Sequence, residues 1–210
     1  GELYQVAKKS RAFWLELAEA GALNVEACGS IHLAHNDDEM NVLQEFVDQQ
    51  THEAEIISPS DVCQRSALVN PDGLLGGMYS DTELRVDPRT AAEGIRNWLE
   101  QEFNVQFHFE TLISTIENNE LISSEGQKWT ADKIIICSGS DLLTLYPEHF
   151  AKSKLVLCKL QMLRSVAQSE SLPENIPHLA SGLTLRHYTS FKTCPSLERL
   201  KSRITMEAPE

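Results

Sequence analysis

Nowhere in these 210 residues do two glycines stand as G-x-G, so the loop G-x-G-x-x-G that cradles a pyrophosphate is missing. Basic charge is also scarce: 18 Lys and Arg face 31 Asp and Glu, a formal net charge of -13. Nucleic acid or an anionic membrane surface needs a basic footprint, so this balance argues against both and leaves room only for a local basic pocket. No apolar run approaches the ~18 residues of a membrane span, and no signal peptide opens the chain. The five cysteines (Cys28, Cys63, Cys137, Cys158, Cys194) are odd in number, widely spaced and without a C-x-x-C. Three sit in apolar or strand-like runs, where a free thiol behaves as a small buried hydrophobe. Reduced thiols and a cytoplasmic location follow as the expectation. An initiator Met is also lacking: Gly1-Glu2 leads straight into a helical pattern, as in a processed or excised piece.

What is present is ordinary globular material, 41% hydrophobic and 23% charged, enough for one large domain or parts of two. Leu3, Val6, Ala7, Phe13, Trp14, Leu17 and Ala18 recur at helical spacing before Gly21, predicting an amphipathic helix that packs on something. Cys28 to Ala34 reads as a strand. Asn36 or Asp37 then caps a helix whose apolar face is Met40, Leu43, Phe46 and Val47. Ser58-Pro-Ser-Asp61 and Asp87-Pro88 are two further helix starts, the first running to the Asn70-Pro-Asp-Gly73 turn and the second to about Glu102. Between them Leu74 to Tyr79 reads as a strand, its Gly76-Gly77 marking a bulge or a close approach. Strands are predicted at Val105–Phe109, Leu112–Ile116, Leu121–Ser123, Lys154–Leu163 and Gly182–Tyr188, with a polar loop holding Pro173 and Pro177 before the last. A helix opened by Thr193 or Ser196 closes the chain.

The stretch Ala131 to Ser140 carries the most information. Ile134 to Cys137 make a short apolar strand that runs into a Ser138-Gly139-Ser140 turn, behind a polar hairpin and the helix that starts at Asp87. A glycine there lets the backbone come close to a ligand, as in the later part of a dinucleotide-binding half. The fold class expected is α/β with α+β character: a mixed or antiparallel sheet with helices, plus an incomplete Rossmann-like portion.

Phe13 to Ala18, Gly29 to Ala34, Gly76-Gly77, Leu84 to Arg89, Cys137-Ser-Gly139, Lys159 to Met162 and Leu185 to Tyr188 together resemble the FAD-dependent oxidoreductases of the D-amino-acid oxidase superfamily. That group includes glycine oxidase, sarcosine oxidase and D-amino-acid dehydrogenases. Order and spacing are most similar to a bacterial subgroup proposed to act in aminophosphonate breakdown. The resemblance implies an internal fragment, lacking the βαβ start with its glycine motif and a late segment that touches the flavin ring. It divides the chain into residues 1–27 and 85–150 as a partial FAD-binding domain, and 28–84 and 151–210 as part of a substrate domain.

Carried over by position, the resemblance lays Ile113 beside the adenine and Cys137, Ser138 and Gly139 along the cofactor. It places Gln161 on a strand returning to the substrate domain, with Arg186 and Tyr188 on a strand facing the flavin. Arg186 is then the anion clamp, since a guanidinium holds a carboxylate or phosphonate through two parallel hydrogen bonds. Tyr188 orients the substrate from the side. On a strand these two share a face and His187 does not. The implied reaction is oxidation of a small zwitterionic amine (a D-amino acid, N-methyl amino acid or aminophosphonate) to an imine. FAD belongs to the parent protein and is not expected to stay with this chain. The alternative is an inactive binding or interaction module, with a homodimer possible through exposed strand edges.

Plainer readings stand beside these. Arg186 to Tyr188 also fits a strand with two residues in water and one packed inward. His32 and His35 form H-x-x-H, which on a strand points to opposite faces, so surface or structural histidines are expected and a metal site is not. Asp37-Asp38-Glu39 fits the first turn of a helix through the dipole alone. Arg85 and Arg89 read as exposed ion pairs.

Overall fold

The computed structural model describes residues 2–164, 166 and 175–207. Along the chain come α1 (Glu2–Glu19), β1 (Val25–Glu26), β2 (Ser30–Ala34), α2 (Asp37–Asp48), β3 (Glu55–Ile57), α3 (Pro59–Arg65), β4 (Gly76–Ser80), β5 (Arg85–Val86) and α4 (Pro88–Phe103). They are followed by β6 (Ile113–Glu117), β7 (Glu120–Ser123), β8 (Lys128–Thr130), α5 (Pro147–Lys152), β9 (His178–Ala180) and α6 (Leu197–Glu207), with 3₁₀ turns at Gly182–His187 and Thr189–Thr193. Two compact units divide the chain: residues 1–104 with 171–210, and residues 105–170. Pro173, in the expected polar loop, lies outside the described residues.

The first unit is built on a four-stranded mixed sheet in the order β3-β4-β2-β9, antiparallel except where β9 runs parallel to β2. Alternation along β2 sends Ile31 and Leu33 to one face and His32 and Ala34 to the other. Ile31 packs with Ile57, Val62, Val69 and Leu74 under α3. Ala34 joins Met78, Val42, Leu43, Phe46, Leu185, Phe191, Leu197, Leu200 and Ile204 on the opposite face, which α2 and α6 cover. Gly76 and Gly77 are squeezed by neighbouring strands: a Cβ on Gly77 would stand 2.9 Å from the His32 carbonyl oxygen and 3.0 Å from Ile31. Their close approach is thus to backbone within the sheet.

Local chemistry sets the helix starts. Asn36 caps α2 in a capping box with Glu39, Ser58 does the same for α3 with Asp61, and the Asp87 carboxylate accepts from the Arg89 amide at the head of α4. Hydrogen bonding by Ser58 holds the Asp61 carboxyl below the usual carboxylate range. Asp38 and Glu39 do more than complement a dipole. Both are buried, and both accept from Arg203 of α6, at 2.7 and 2.9 Å. This bound pair locks α2 to α6. Ser196 stands directly before α6, but its hydroxyl donates to Glu45 of α2 at 2.6 Å.

Several sequence expectations are corrected. The apolar stripe of α1 packs only at its end: Leu17 is buried, while Leu3, Val6 and Phe13 are exposed. Polar tethers hold the helix instead, Lys8 pairing with Glu53 and Arg11 Nε donating to the Thr82 carbonyl at 2.7 Å. Gly182–His187 is a 3₁₀ turn rather than a strand. With about three residues per turn, Arg186 and Tyr188 do not share a face as strand neighbours would.

The second unit carries an antiparallel meander, β6-β7-β8, with Asn118 and Asn119 both at positive φ in its first turn. Ile134–Cys137, Val105–Phe109 and Lys154–Leu163 form no strand. A strand needs a hydrogen-bonding neighbour, and among the described residues none pairs with these segments. Cys137 and Cys158 are accordingly exposed, whereas Cys28 and Cys194 are buried.

Candidate functional site

Strand register fixes the floor of a chamber in the first unit. Pairing puts His32 opposite Met78, Ser30 opposite Ser80, and His178 and Ala180 beside Ser30 and His32. These six side chains share one sheet face, the one that continues into the larger apolar core. They line a cavity of about 500 Å³.

One side of the chamber is α1, whose Tyr4, Ala7, Lys8 and Arg11 recur at helical spacing and so form a single face. Opposite stand Phe46, Tyr188 and Phe191, and Thr82 with Glu83 closes another edge. The Tyr4 hydroxyl accepts from the Glu53 amide at 3.2 Å. His52 lies between Tyr4 and Phe46, with ring centroids 4.2 and 4.8 Å away.

His32 dominates the chemistry of the floor. Its ring meets Phe191 and Tyr188 edge-on, at 5.9 and 6.5 Å between centroids. Its Nδ1 is buried and has no hydrogen-bond partner among the described residues. Burial pushes the imidazole below the usual histidine pKa, against a smaller opposing pull from Glu83. The ring is therefore neutral near pH 7, with one nitrogen able to accept and the other to donate.

Of the residues singled out from sequence, Tyr188 lines the chamber and Arg186 does not. Arg186 Nε donates to His187 Nε2 at 3.1 Å on the 3₁₀ turn. Gln161, Ile113, Cys137, Ser138 and Gly139 belong to the other unit. Gln161 is exposed in an irregular segment, and Ile113 sits on the edge strand β6. Gly139 adopts φ +59°, where glycine is favoured, and nothing lies within 4 Å of the place its Cβ would take. Sequence reasoning overlooked Arg11 and the chamber-facing side of His32. Period-two alternation did put His32 and Ala34 on a common face; what covers that face is not written locally.

Comparison with known proteins decides the family. A family model described as FAD dependent oxidoreductase (DAO) matches residues 1–192. The chain belongs to this family. Among solved structures, glycine oxidase from Bacillus cereus ATCC 14579 is similar with a TM-score of 0.57 at 22% identity, over 67% of this chain and 42% of that one. L-proline dehydrogenase from P. horikoshii is similar with a TM-score of 0.51 at 18% identity, over 60% of this chain and 35% of that one. No curated protein sequence matches the chain. It thus spans less than half the length of the glycine oxidase it matches, and the likeness is one of fold: mixed α/β with several small sheets.

For FAD, the family's cofactor, the expected contact Gly139 takes a left-handed backbone conformation with nothing within 4 Å of the place its Cβ would occupy. The pyrophosphate-gripping glycine motif is not in this sequence. Among the described residues no helix is long and apolar enough to cross a membrane.

Proposed function

We propose that this chain supplies the substrate-binding sheet and part of the cofactor-binding region of an FAD-dependent amine oxidoreductase. One observation carries the reading: the family match covers the mixed sheet, and that sheet floors a chamber walled by aromatic side chains with a neutral histidine at its base. Bound FAD would supply the acceptor for the hydride on the carbon that bears the amine. The chain's own task is to hold that substrate and keep water from it. Met78, Phe46 and Phe191 supply the dry wall, and Tyr188 orients the substrate from its side.

In the same reading Ile113, Cys137, Ser138 and Gly139 lie along the cofactor, and Gln161 with Arg186 belongs to the substrate-domain side. The product is an imine, which water then hydrolyses to a carbonyl compound and ammonia or an amine. D-amino acids, N-methyl amino acids and aminophosphonates are the substrate candidates, the last following from the subgroup that the sequence most resembles.

Anaerobic mixing of the full-length flavoprotein with each class of amine tests this. Bleaching of the oxidised flavin by one class supports the reading and selects the substrate. A flavoprotein that none of the three classes reduces contradicts it.

A further inference from the structure

Residues 155–163 carry an apolar run that the second unit leaves uncovered. Every residue from 151 to 164 is exposed, with Val156, Met162 and Leu163 at 86%, 85% and 97%. The run forms no strand, and apolar surface so exposed marks a place of contact with something else. Its charge narrows the partner. Lys152, Lys154, Lys159 and Arg164 stand in and beside it, and no Asp or Glu falls between positions 149 and 164. None of these four cations forms an ion pair among the described residues. The rest of the chain has the opposite balance: the 18 Lys and Arg less these four leave 14 against 31 Asp and Glu, a net charge of -17. A second copy of this chain is thus an electrostatic match for the segment.

One place on that second copy fits in backbone as well as in charge. Among the described residues β3 pairs with β4 alone, so its other edge offers unpaired N–H and C=O groups. Both faces of the sheet are apolar there: Ile57 belongs to the cluster under α3, and Ile56 packs against the core that α2 covers. A strand added at this edge finds apolar cover on both sides, and a nearly continuous apolar run is what such a strand requires. Beside β3 runs a groove of about 330 Å³ lined in part by Glu53, Glu55, Tyr79 and Asp81. Glu53 and Glu55 meet one cation each, Lys8 and Arg65, in exposed pairs that water screens. The opposite edge strand, β9, carries no carboxylate, and the β6-β7-β8 meander contributes nothing to either apolar core.

We propose that residues 155–163 of one copy add as a strand to the free edge of β3 in a second copy, their lysines set among Glu53, Glu55 and Asp81. The two surfaces differ, so the contact is head-to-tail and builds open chains or rings rather than a symmetric pair. It needs neither flavin nor amine, and so stands apart from the oxidoreductase reading.

Sedimentation velocity of the 210-residue chain at about 50 mM and about 500 mM NaCl tests the contact. At low salt the mean sedimentation coefficient is expected to rise with protein concentration, and high salt should raise the concentration required at least about fivefold. Val156→Asp should weaken association at both salts, because it places a charge in the apolar run. Lys154→Glu with Lys159→Glu spoils the donor segment, and Glu55→Lys with Asp81→Lys spoils the acceptor edge. Each of these double variants should be monomeric alone. Mixed together they should form a 1:1 complex that grows no further, since one intact donor and one intact acceptor remain. Cooperative melting as in the parent chain shows that a variant is folded; where it is lost, the neutral pairs Lys154→Gln with Lys159→Gln, or Glu55→Gln with Asp81→Asn, take its place. A parent chain monomeric at both salts, association that survives both charge reversals, or a mixture that stays monomeric would overturn the proposal. So would a monomeric chain that instead binds phosphatidylserine vesicles through this segment, which would assign it to a lipid surface.

Discussion

The two units treat similar sequence in opposite ways. Ser30–Ala34 lies between β4 and β9, so Ile31 and Ala34 are completely buried. Ile134–Cys137 is at least as apolar and ends in a turn as sharp, yet Ile135 is 85% exposed and no strand forms. Val156, Leu160 and Leu163 are exposed in the same way. A β-branched run thus states a capacity to be a strand; a neighbour with free backbone groups decides whether it becomes one. In the first unit that neighbour comes from residues far apart in sequence, β9 joining β2 across more than a hundred positions.

The largest effect should come from the buried ion cluster of the first unit. Arg203→Ala leaves Asp38 and Glu39 buried without their cation, and a loss of roughly 3–5 kcal/mol is expected in denaturant unfolding. A loss under about 1 kcal/mol, the range of surface pairs, would mean the cluster does not lock α2 to α6. Next comes a matched pair. Leu200→Ala, at a fully buried site, should cost about 2–5 kcal/mol, whereas Val156→Ala in the second unit should fall within about 0.5 kcal/mol of zero. Equal costs would erase the contrast between the units.

These contrasts also mark what the sequence could show. The starts of α2, α3 and α4 were legible because Asn36, Ser58 and Asp87 act through bonds to residues two or three positions away. The strand at Ser30–Ala34 was legible through alternation. By contrast, Gly182–Tyr188 reads as a strand, yet it winds into a 3₁₀ turn that buries Leu185 against α6 and α2. Tyr188 was found as a candidate and does line the chamber. Arg11 gave no signal, since its place at the chamber depends on Thr82 holding it from 71 positions away.

A smaller effect is expected at Gly139. Gly139→Ala forces a Cβ into the left-handed region at a cost of about 1–2 kcal/mol. Surrounding space is open, so the cost should be backbone strain alone, seen as a modest drop in the unfolding midpoint of the second unit. An Asn substitution there should cost less, because its side chain tolerates this conformation.

The mildest prediction is a pH dependence. The folded chain binds a proton at His32 only below the usual histidine value, while the unfolded chain binds it near pH ~6.5. Stability from the neutral ring is therefore complete above that pH and declines as pH falls toward the folded value. The Ser58–Asp61 cap works in a lower window: the Asp61 carboxyl is held below its usual range, so its contribution is lost only as pH falls below ~4. Melting temperatures taken from pH 7 to pH 5 should fall more for the wild-type chain than for His32→Phe. Parallel curves would show that His32 is not kept neutral by its burial.

The central claim is that this chain is part of a flavin-dependent oxidoreductase, and the visible spectrum tests it most directly. The full-length protein, passed through gel filtration, is predicted to keep flavin absorption bands with the protein peak, and the 210-residue chain mixed with FAD is predicted to lose them. A full-length protein that elutes colourless even after incubation with FAD would contradict the account.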